Sequence, residues 1–150
     1  MTQSLAKLCV HIIFHIKNDA APIRAEEHEE LCAYIGGVIE NYKSVPIKIN
    51  GTENHLHVLS TMSKNIALAD FVEQIKKNSS RWLKTKNECY RDFSWQGGYA
   101  GYSVSESQIA TVKNYIARQQ EHHKKISFHE EYVQFLQKHG INFDEQFLWK

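Results

Sequence analysis

Apolar residues recur along the chain with two periods, and the change of period predicts the order of strands and helices. Residues 8–17 are rich in β-branched and aromatic side chains, with Val10, Ile12 and Phe14 on one face, which is typical of a strand. Residues 25–43 carry an apolar stripe at helical spacing. The same criteria predict strands at 45–50, 55–61 and near 99–104, and a second amphipathic helix at 67–84.

Two more helices follow the last predicted strand, and each begins at a serine. The first is predicted from Ser105 to about residue 123, and the second from Ser127 to Gly140. Each serine stands three residues before a Gln or Glu, the spacing of a capping box. Glycine favours the residue that ends a helix, so Gly140 marks the end of the second.

The element order β-α-β-β-α-β predicts an α+β, ferredoxin-like fold with a four-stranded antiparallel sheet against two helices. The turn at 51–54 makes a hairpin of the second and third strands. In this topology the first and third strands are central. The third helix is expected to be appended away from the sheet, followed by the C-terminal helix. A length of 150 residues is typical of one domain, which we assign to 1–150.

Charge is unevenly distributed although the net charge is only +1. Residues 64–91 hold seven basic side chains against three acidic ones, and residues 113–125 hold four against one, whereas the first helix and the C-terminal tail are acidic. A basic middle region is typical of a nucleic-acid surface. A solvated helix face would give the same pattern, so charge alone leaves both interpretations open.

The environment of the chain is predicted from three features. No apolar run approaches the roughly 18 residues of a membrane span, and the N-terminus lacks a signal-peptide pattern. Cys9, Cys32 and Cys89 are odd in number and form no CxxC pair. We therefore expect reduced, buried thiols in a cytoplasmic protein with no membrane partner.

His55-Leu56-His57 is the first candidate for chemistry. Residues two apart on a strand point to the same face, so both imidazoles leave the sheet side by side. Two neighbouring imidazoles can bind one metal ion. A pair of histidines that is only hydrogen-bonded or exposed remains the alternative.

Tyr115 and Gln119 are the second candidate, because residues four apart share one face of a helix. Tyr115 lies at the edge of the apolar stripe and is expected to be half-exposed. A tyrosine that packs its ring and leaves its hydroxyl in water is the alternative interpretation.

These motifs resemble those of a known family. His55-Leu56-His57 is similar to the His-hydrophobic-His signature of the HUH endonucleases, and Tyr115-Ile-Ala-Arg-Gln119 resembles the Tyr-x-x-x-Gln helix of their single-tyrosine, IS200-like transposases. The two motifs stand 58 residues apart in the order of that family. The segment 93–99 resembles the family's aromatic and glycine-rich segment, so that the likeness extends over nearly the whole chain.

The resemblance implies a DNA strand transferase. Tyr115 would attack a DNA phosphate and form a 5′-phosphotyrosine, with a divalent metal held by His55, His57 and Gln119. Two imidazoles and an amide oxygen form a neutral set with open positions, which suits Mg²⁺ or Mn²⁺. Family members act on single-stranded DNA with hairpin ends, as homodimers in which the tyrosine helix can face the partner's histidines.

On this chain the resemblance assigns phosphate contacts to five basic residues: Lys76, Lys77, Arg81, Lys84 and Lys86. Unpaired bases would stack on some of four aromatic residues: Trp82, Trp95, Tyr99 and Tyr102. Trp82 also fits the apolar stripe of its helix, and packing in the core is favoured for it.

Two other functions compatible with this fold stay open. A nucleic-acid-binding or regulatory module could use the same fold without catalysis. A metal-dependent phosphodiesterase could use water in place of Tyr115, and it would release a free 5′-phosphate. Formation of a covalent DNA adduct distinguishes the transferase from both.

Overall fold

The computed structural model describes residues 2–149, which form a sheet with helices on both faces. None of the helices in this range is both long and apolar enough to cross a membrane. The strands are β1 (Leu8–His15), β2 (Pro46–Gly51), β3 (His55–Met62) and β4 (Ala100–Ser103). The helices are α1 (Ala25–Asn41), α2 (Leu68–Lys84), α3 (Ile109–Ala117), α4 (Gln119–His122), α5 (Phe128–Lys138) and α6 (Glu145–Leu148).

The four strands form one antiparallel sheet in the order β2-β3-β1-β4. The predicted ferredoxin-like arrangement is therefore confirmed, with β1 and β3 in the centre. These two strands pair along their whole length, and Ile13 lies opposite His57 while His15 lies opposite His55. The register brings histidines of both central strands together on one face of the sheet.

The face of the sheet that packs against α1 and α2 carries the larger apolar core. Alternate residues of β1 and β3 point into it, among them Ile12, Phe14, Leu56 and Val58, all fully buried. The apolar stripes of both helices cover them, as their sequence periodicity predicts. Because side chains alternate along a strand, the residues between these four must face the other side.

The opposite face carries the histidines, and α3, α4 and α5 cover it. Ile116 of α3 packs on Leu59 and Cys9, while Tyr132 and Leu136 of α5 pack against Ile13. The third helix was expected to lie away from its own sheet, and this expectation is wrong. Its apolar residues had no other surface to cover, because α1 and α2 occupy the first face.

The predicted helix from Ser105 to about residue 123 is three pieces in the structure. A 3-10 turn at Glu106–Gln108 leads into α3, and the helix is interrupted at Arg118, whose backbone angles are φ −101° and ψ 19°. Ser105 makes no side-chain capping bond. A further helix, α6, follows the last predicted one, and the sequence pattern had not indicated it.

The cysteines are free thiols, as expected, but their burial differs from the prediction. Cys9 is buried, Cys32 is half-buried and Cys89 is exposed. Burial raises the pKa of Cys32 to about 11, so this thiol stays protonated at neutral pH. The prediction of three buried thiols is therefore wrong for Cys89.

The start and end of α5 follow the sequence prediction. The Oγ atom of Ser127 accepts a hydrogen bond from the Glu130 amide at 3.1 Å. Gly140 follows the helix with a φ of +65°, the left-handed conformation that glycine adopts without strain. These two residues define the limits of the helix that covers the histidines.

Replacing Ser127 by alanine should lower the free energy of unfolding by about 1 kcal/mol, because one amide of the first turn loses its acceptor. Ser105→Ala is the matched control, since Ser105 precedes a helical turn without capping it. It should change stability by less than about 0.5 kcal/mol. Urea denaturation of both variants tests this, and equal losses would contradict the assignment of the cap.

Candidate active site

The turn between β2 and β3 leads directly into the two histidines of the site. A Cβ atom on Gly51 would stand 2.0 Å from the carbonyl oxygen of His55, so only glycine fits this position. Beyond the turn, His55 and His57 point to the same face and are fully buried, with ring centroids 5.2 Å apart. The predicted side-by-side arrangement of the two imidazoles is present.

Tyr115 and Gln119 approach the histidines from the helical side. The Asn50 side chain of β2 donates a hydrogen bond to the carbonyl oxygen of Ile116 at 2.9 Å and fixes the end of α3 on the sheet. Gln119 follows the interruption of the helix and is fully buried, and its Oε1 accepts a hydrogen bond from Nε2 of His55 at 2.9 Å. Tyr115 is half-buried, as expected.

A carboxylate that the sequence analysis did not single out, that of Glu131 on α5, lies in the middle of these side chains. Glu131 is 1% exposed. One oxygen accepts hydrogen bonds from Nε2 of His57 and Nε2 of His123, each at 3.0 Å. The other oxygen accepts from Nε2 of Gln119 at 3.0 Å and from the hydroxyl of Tyr115.

The far sides of the two imidazoles are also held. Nδ1 of His57 accepts a hydrogen bond from Nε2 of His11 on β1 at 2.8 Å, and the two rings stack. Nδ1 of His55 lies 2.8 Å from Oδ1 of Asn54 and 2.9 Å from Oγ1 of Thr52. Both rings are thereby fixed with Nε2 toward Glu131.

Burial and hydrogen bonding shift the acidity of the site. Burial lowers the pKa of His57 to about 4, and it lowers the pKa of His55 as well. Burial alone would raise the pKa of Glu131, but the hydrogen bonds from the two histidines lower it below its ordinary value. Burial and the bond to Glu131 raise the pKa of Tyr115, so its hydroxyl is protonated in this arrangement.

The imidazole nitrogens and the carboxylate oxygens of the site are close enough together to bind one metal ion. His55, His57, His123 and Glu131 each offer one ligand atom, and the four atoms lie within 4.8 Å of one another. Imidazole nitrogens with carboxylate or amide oxygens are ligands that divalent first-row metals accept. The amide oxygen of Gln119 lies beside His55 and belongs to the same cluster.

Comparison with known proteins identifies the family of this chain. The family described as "Transposase IS200 like" matches residues 4–119, more than three quarters of the chain. The chain belongs to the IS200-like transposase family. No curated protein matches its sequence.

Two solved structures share the fold of this family member. The first is a candidate transposase from Deinococcus radiodurans R1, with a TM-score of 0.60 and 20% identity, over 79% of this chain and 98% of that one. The second is a REP-associated tyrosine transposase bound to a REP hairpin, with a TM-score of 0.60 and 14% identity, over 91% of this chain and 86% of that one.

The predicted phosphate contacts of this family member lie on α2 and just beyond it. Lys77, Arg81, Lys84 and Lys86 are exposed. Lys76 differs, because its Nζ donates hydrogen bonds to the carbonyl oxygens of Gln96 and Gly98 at 2.6 and 2.9 Å. Burial lowers the pKa of Lys76 to about 8. This amine therefore holds the loop before β4.

The four aromatic residues predicted as stacking platforms divide into two pairs. Tyr99 is exposed, and Trp82 is half-buried with its ring stacked on Tyr34, so the core position favoured for Trp82 is only partly realised. Trp95 is buried against Phe14 and donates a hydrogen bond to Ser79, and Tyr102 is 4% exposed. Among these four residues, only Tyr99 and Trp82 keep surface that is open to solvent.

The sequence contained a signal for Glu131. Phe128, Tyr132 and Phe135 form an apolar stripe at helical spacing, and Glu131 stands within that stripe. A carboxylate on the buried face of an amphipathic helix requires a partner. His123 gave a weaker signal, since it stands beside another histidine in a polar stretch.

The lowered pKa of His57 predicts how stability depends on pH. The unfolded chain, with an ordinary histidine pKa of 6.5, binds more protons than the folded protein down to about pH 4. In EDTA we expect the contribution of His57 to stability to be constant above pH 6.5 and to decline from pH 6.5 to pH 4, measured as the urea midpoint. His57→Gln should flatten this decline, whereas the exposed His129→Gln should keep it. An identical slope in both variants would contradict the assignment.

Proposed function

We propose that this family member cleaves and rejoins single-stranded DNA through a 5′-phosphotyrosine on Tyr115. One observation carries the proposal: His57, Gln119 and Tyr115 hydrogen-bond to the same carboxylate, and His55 contacts Gln119. Residues of both motifs, far apart in the sequence, therefore meet at one point within one chain. Membership of a transposase family supports the same reaction.

Tyr115 is the nucleophile in this proposal. Its oxygen forms a bond to the phosphorus while the bond from phosphorus to the 3′ oxygen breaks. The phenolic proton leaves to a nearby base, and the 3′ oxygen takes up a proton to become a hydroxyl. One phosphodiester replaces another, so a 3′-hydroxyl can later reverse the step and join the strands without ATP.

His55, His57 and Gln119 are the residues that we propose to hold the divalent ion, Mg²⁺ or Mn²⁺, during cleavage. Such an ion polarises the scissile phosphate and offsets its developing charge. The protein orients the two imidazoles through His11 and Asn54, which hold their Nδ1 atoms. Losing such an orienting partner typically costs 10- to 100-fold in metal affinity or activity.

The proposed partner is single-stranded DNA with hairpin ends. A relative of the same fold is bound to a REP hairpin, which supports this choice. Lys77, Arg81 and Lys84 on α2 and Lys86 just beyond it are exposed and offer charge for phosphate contacts.

Cytoplasmic location, action as one domain and a homodimer remain predictions. Because Tyr115 meets the histidines of its own chain, the geometry supports cleavage without a partner's tyrosine.

Tyr115→Phe should abolish both cleavage and the covalent adduct, because phenylalanine has no oxygen that can attack phosphorus. The variant should still bind hairpin DNA, since phosphate contacts come from other residues. The measurement uses single-stranded hairpin DNA with Mn²⁺, denaturing gels for the adduct, and mass spectrometry to locate it. Tyr42→Phe, at the end of α1 and outside the site, is the matched control and should retain wild-type cleavage.

Three results would overturn the mechanism. An adduct that persists in Tyr115→Phe, or one that maps to another tyrosine, would show that Tyr115 is not the nucleophile. Cleavage without any adduct in the wild type favours the phosphodiesterase that uses water. DNA binding with neither cleavage nor adduct favours the binding module.

Lys84→Ala should weaken hairpin binding and reduce the slope of log affinity against log salt by about 1, because one phosphate contact is lost. Lys76→Met should instead destabilise the protein by about 1–3 kcal/mol, since two partly buried carbonyl oxygens lose their donor. Fluorescence anisotropy at several salt concentrations and urea denaturation separate the two effects. A Lys76 variant of normal stability would contradict the structural role of this amine.

A further inference from the structure

Residues 120–149, which we call the C-terminal segment, follow the part of the chain that the family matches and cover the histidine-bearing face of the sheet. The ring of Phe128 stacks on His55 with centroids 4.1 Å apart. Two polar side chains of the segment, His123 and Glu131, enter the site. The segment therefore supplies part of the site and also covers it.

The atoms that meet at Glu131 are spaced like ligands of one metal ion. Oε1 of Glu131 lies 3.0 Å from Nε2 of His57, 3.0 Å from Nε2 of His123 and 3.4 Å from Nε2 of His55. Two ligand atoms that each lie about 2.1 Å from an ion are about 3.0 Å apart at octahedral angles and about 3.4 Å apart at tetrahedral angles. The three distances to Oε1 match these values, and all four ligand atoms lie within 4.8 Å of one another.

The outer nitrogens of the two strand histidines also fit metal binding. A metal-bound imidazole typically uses its second nitrogen for a hydrogen bond that fixes the ring. With an ion on Nε2, Nδ1–H of His55 would donate to Oδ1 of Asn54, and Nδ1–H of His57 would donate to Nε2 of His11, which takes the other tautomer. Nε2 is thus the ligand atom on both rings, and it is the atom that faces Glu131.

The charge of Glu131 requires compensation. Within residues 2–149 its ion-pair partners are all histidines, namely His55, His57, His122 and His123. No lysine or arginine within residues 2–149 forms an ion pair with this carboxylate. A buried carboxylate without such a partner is costly, and a divalent cation between these ligands would supply the missing positive charge.

We propose that His123 and Glu131 join His55 and His57 as ligands of a divalent transition-metal ion in the DNA-free protein, with Mn²⁺ or Zn²⁺ preferred to Mg²⁺. Three imidazoles and one carboxylate suit such ions, whereas Mg²⁺ prefers oxygen ligands. Two of the four ligands, His123 and Glu131, lie on the C-terminal segment, so the ion fastens that segment over Tyr115. For Zn²⁺ the four ligands also fill the tetrahedral site. The inference rests on the proposed function, because His55 and His57 serve in both.

Titration of the DNA-free protein with Mn²⁺ tests the proposal. Calorimetry measures the heat of binding, and electron paramagnetic resonance measures the concentration of the free ion. Glu131→Gln and His123→Ala should each weaken Mn²⁺ binding at least about tenfold, because each removes one ligand. Wild-type protein should bind Mg²⁺ at least about tenfold more weakly than Mn²⁺. Glu130→Gln and His129→Ala, exposed neighbours on α5, are the matched controls and should bind like the wild type.

Hydrogen exchange gives a second measurement. Mn²⁺ should slow amide exchange in α5 of the wild type and leave it unchanged in Glu131→Gln. If Glu131→Gln is unfolded in EDTA by circular dichroism, the half-buried His123→Ala decides the question alone. Mn²⁺ affinity within about twofold of the wild type in the folded variants would overturn the proposal.

The two proposals fail separately. A Tyr115 adduct together with unchanged Mn²⁺ affinity in Glu131→Gln and His123→Ala overturns only the four-ligand site. Loss of Mn²⁺ affinity in both variants, together with no adduct in the wild type, supports the four-ligand site and overturns the proposed transferase.

Discussion

Glu131 brings a negative charge into the apolar interface between the sheet and α5, and the surrounding polar groups are ordered by it. An ionised carboxylate only accepts hydrogen bonds, so each neighbouring group must either donate a hydrogen bond to it or be a cation. His57 therefore presents Nε2–H to Glu131 and accepts from His11 through Nδ1. The same requirement turns the amide of Gln119 and the hydroxyl of Tyr115 inward. One anion thus aligns groups from four separate elements.

The part of the site on the sheet could be predicted from the sequence because strand alternation is a local rule. His55 and His57 had to share a face, and the apolar residues between and beyond them had to face α1 and α2. Tyr115 and Gln119 do meet the histidines, although their helix is interrupted at Arg118. The four-residue spacing identified the right side chains even where the regular helix that it assumed is absent.

The rest of the site depends on contacts between distant residues, which no period in the sequence encodes. His57 and Glu131 are 74 positions apart, and their meeting depends on how α5 packs across the sheet. Lys76 and Trp95 were misjudged for the same reason, since composition shows that a side chain is basic or aromatic but not which loop covers it. The burial of Glu131 could have been predicted, because a charge within an apolar stripe is visible in the sequence, but its partners could not.

The last strand of the sheet ends at Ser103, so within the described residues everything from α3 onward is attached to the sheet by side chains and helix packing. Asn50, His15 and Asn18 make such contacts, each through a side chain that meets a backbone carbonyl. Lifting α4 to α6 away from β3 would therefore break no backbone ladder. His55 and His57 would keep their spacing on a central strand that stays paired on both sides, so the sheet holds the two imidazoles in place independently of the helices that cover them.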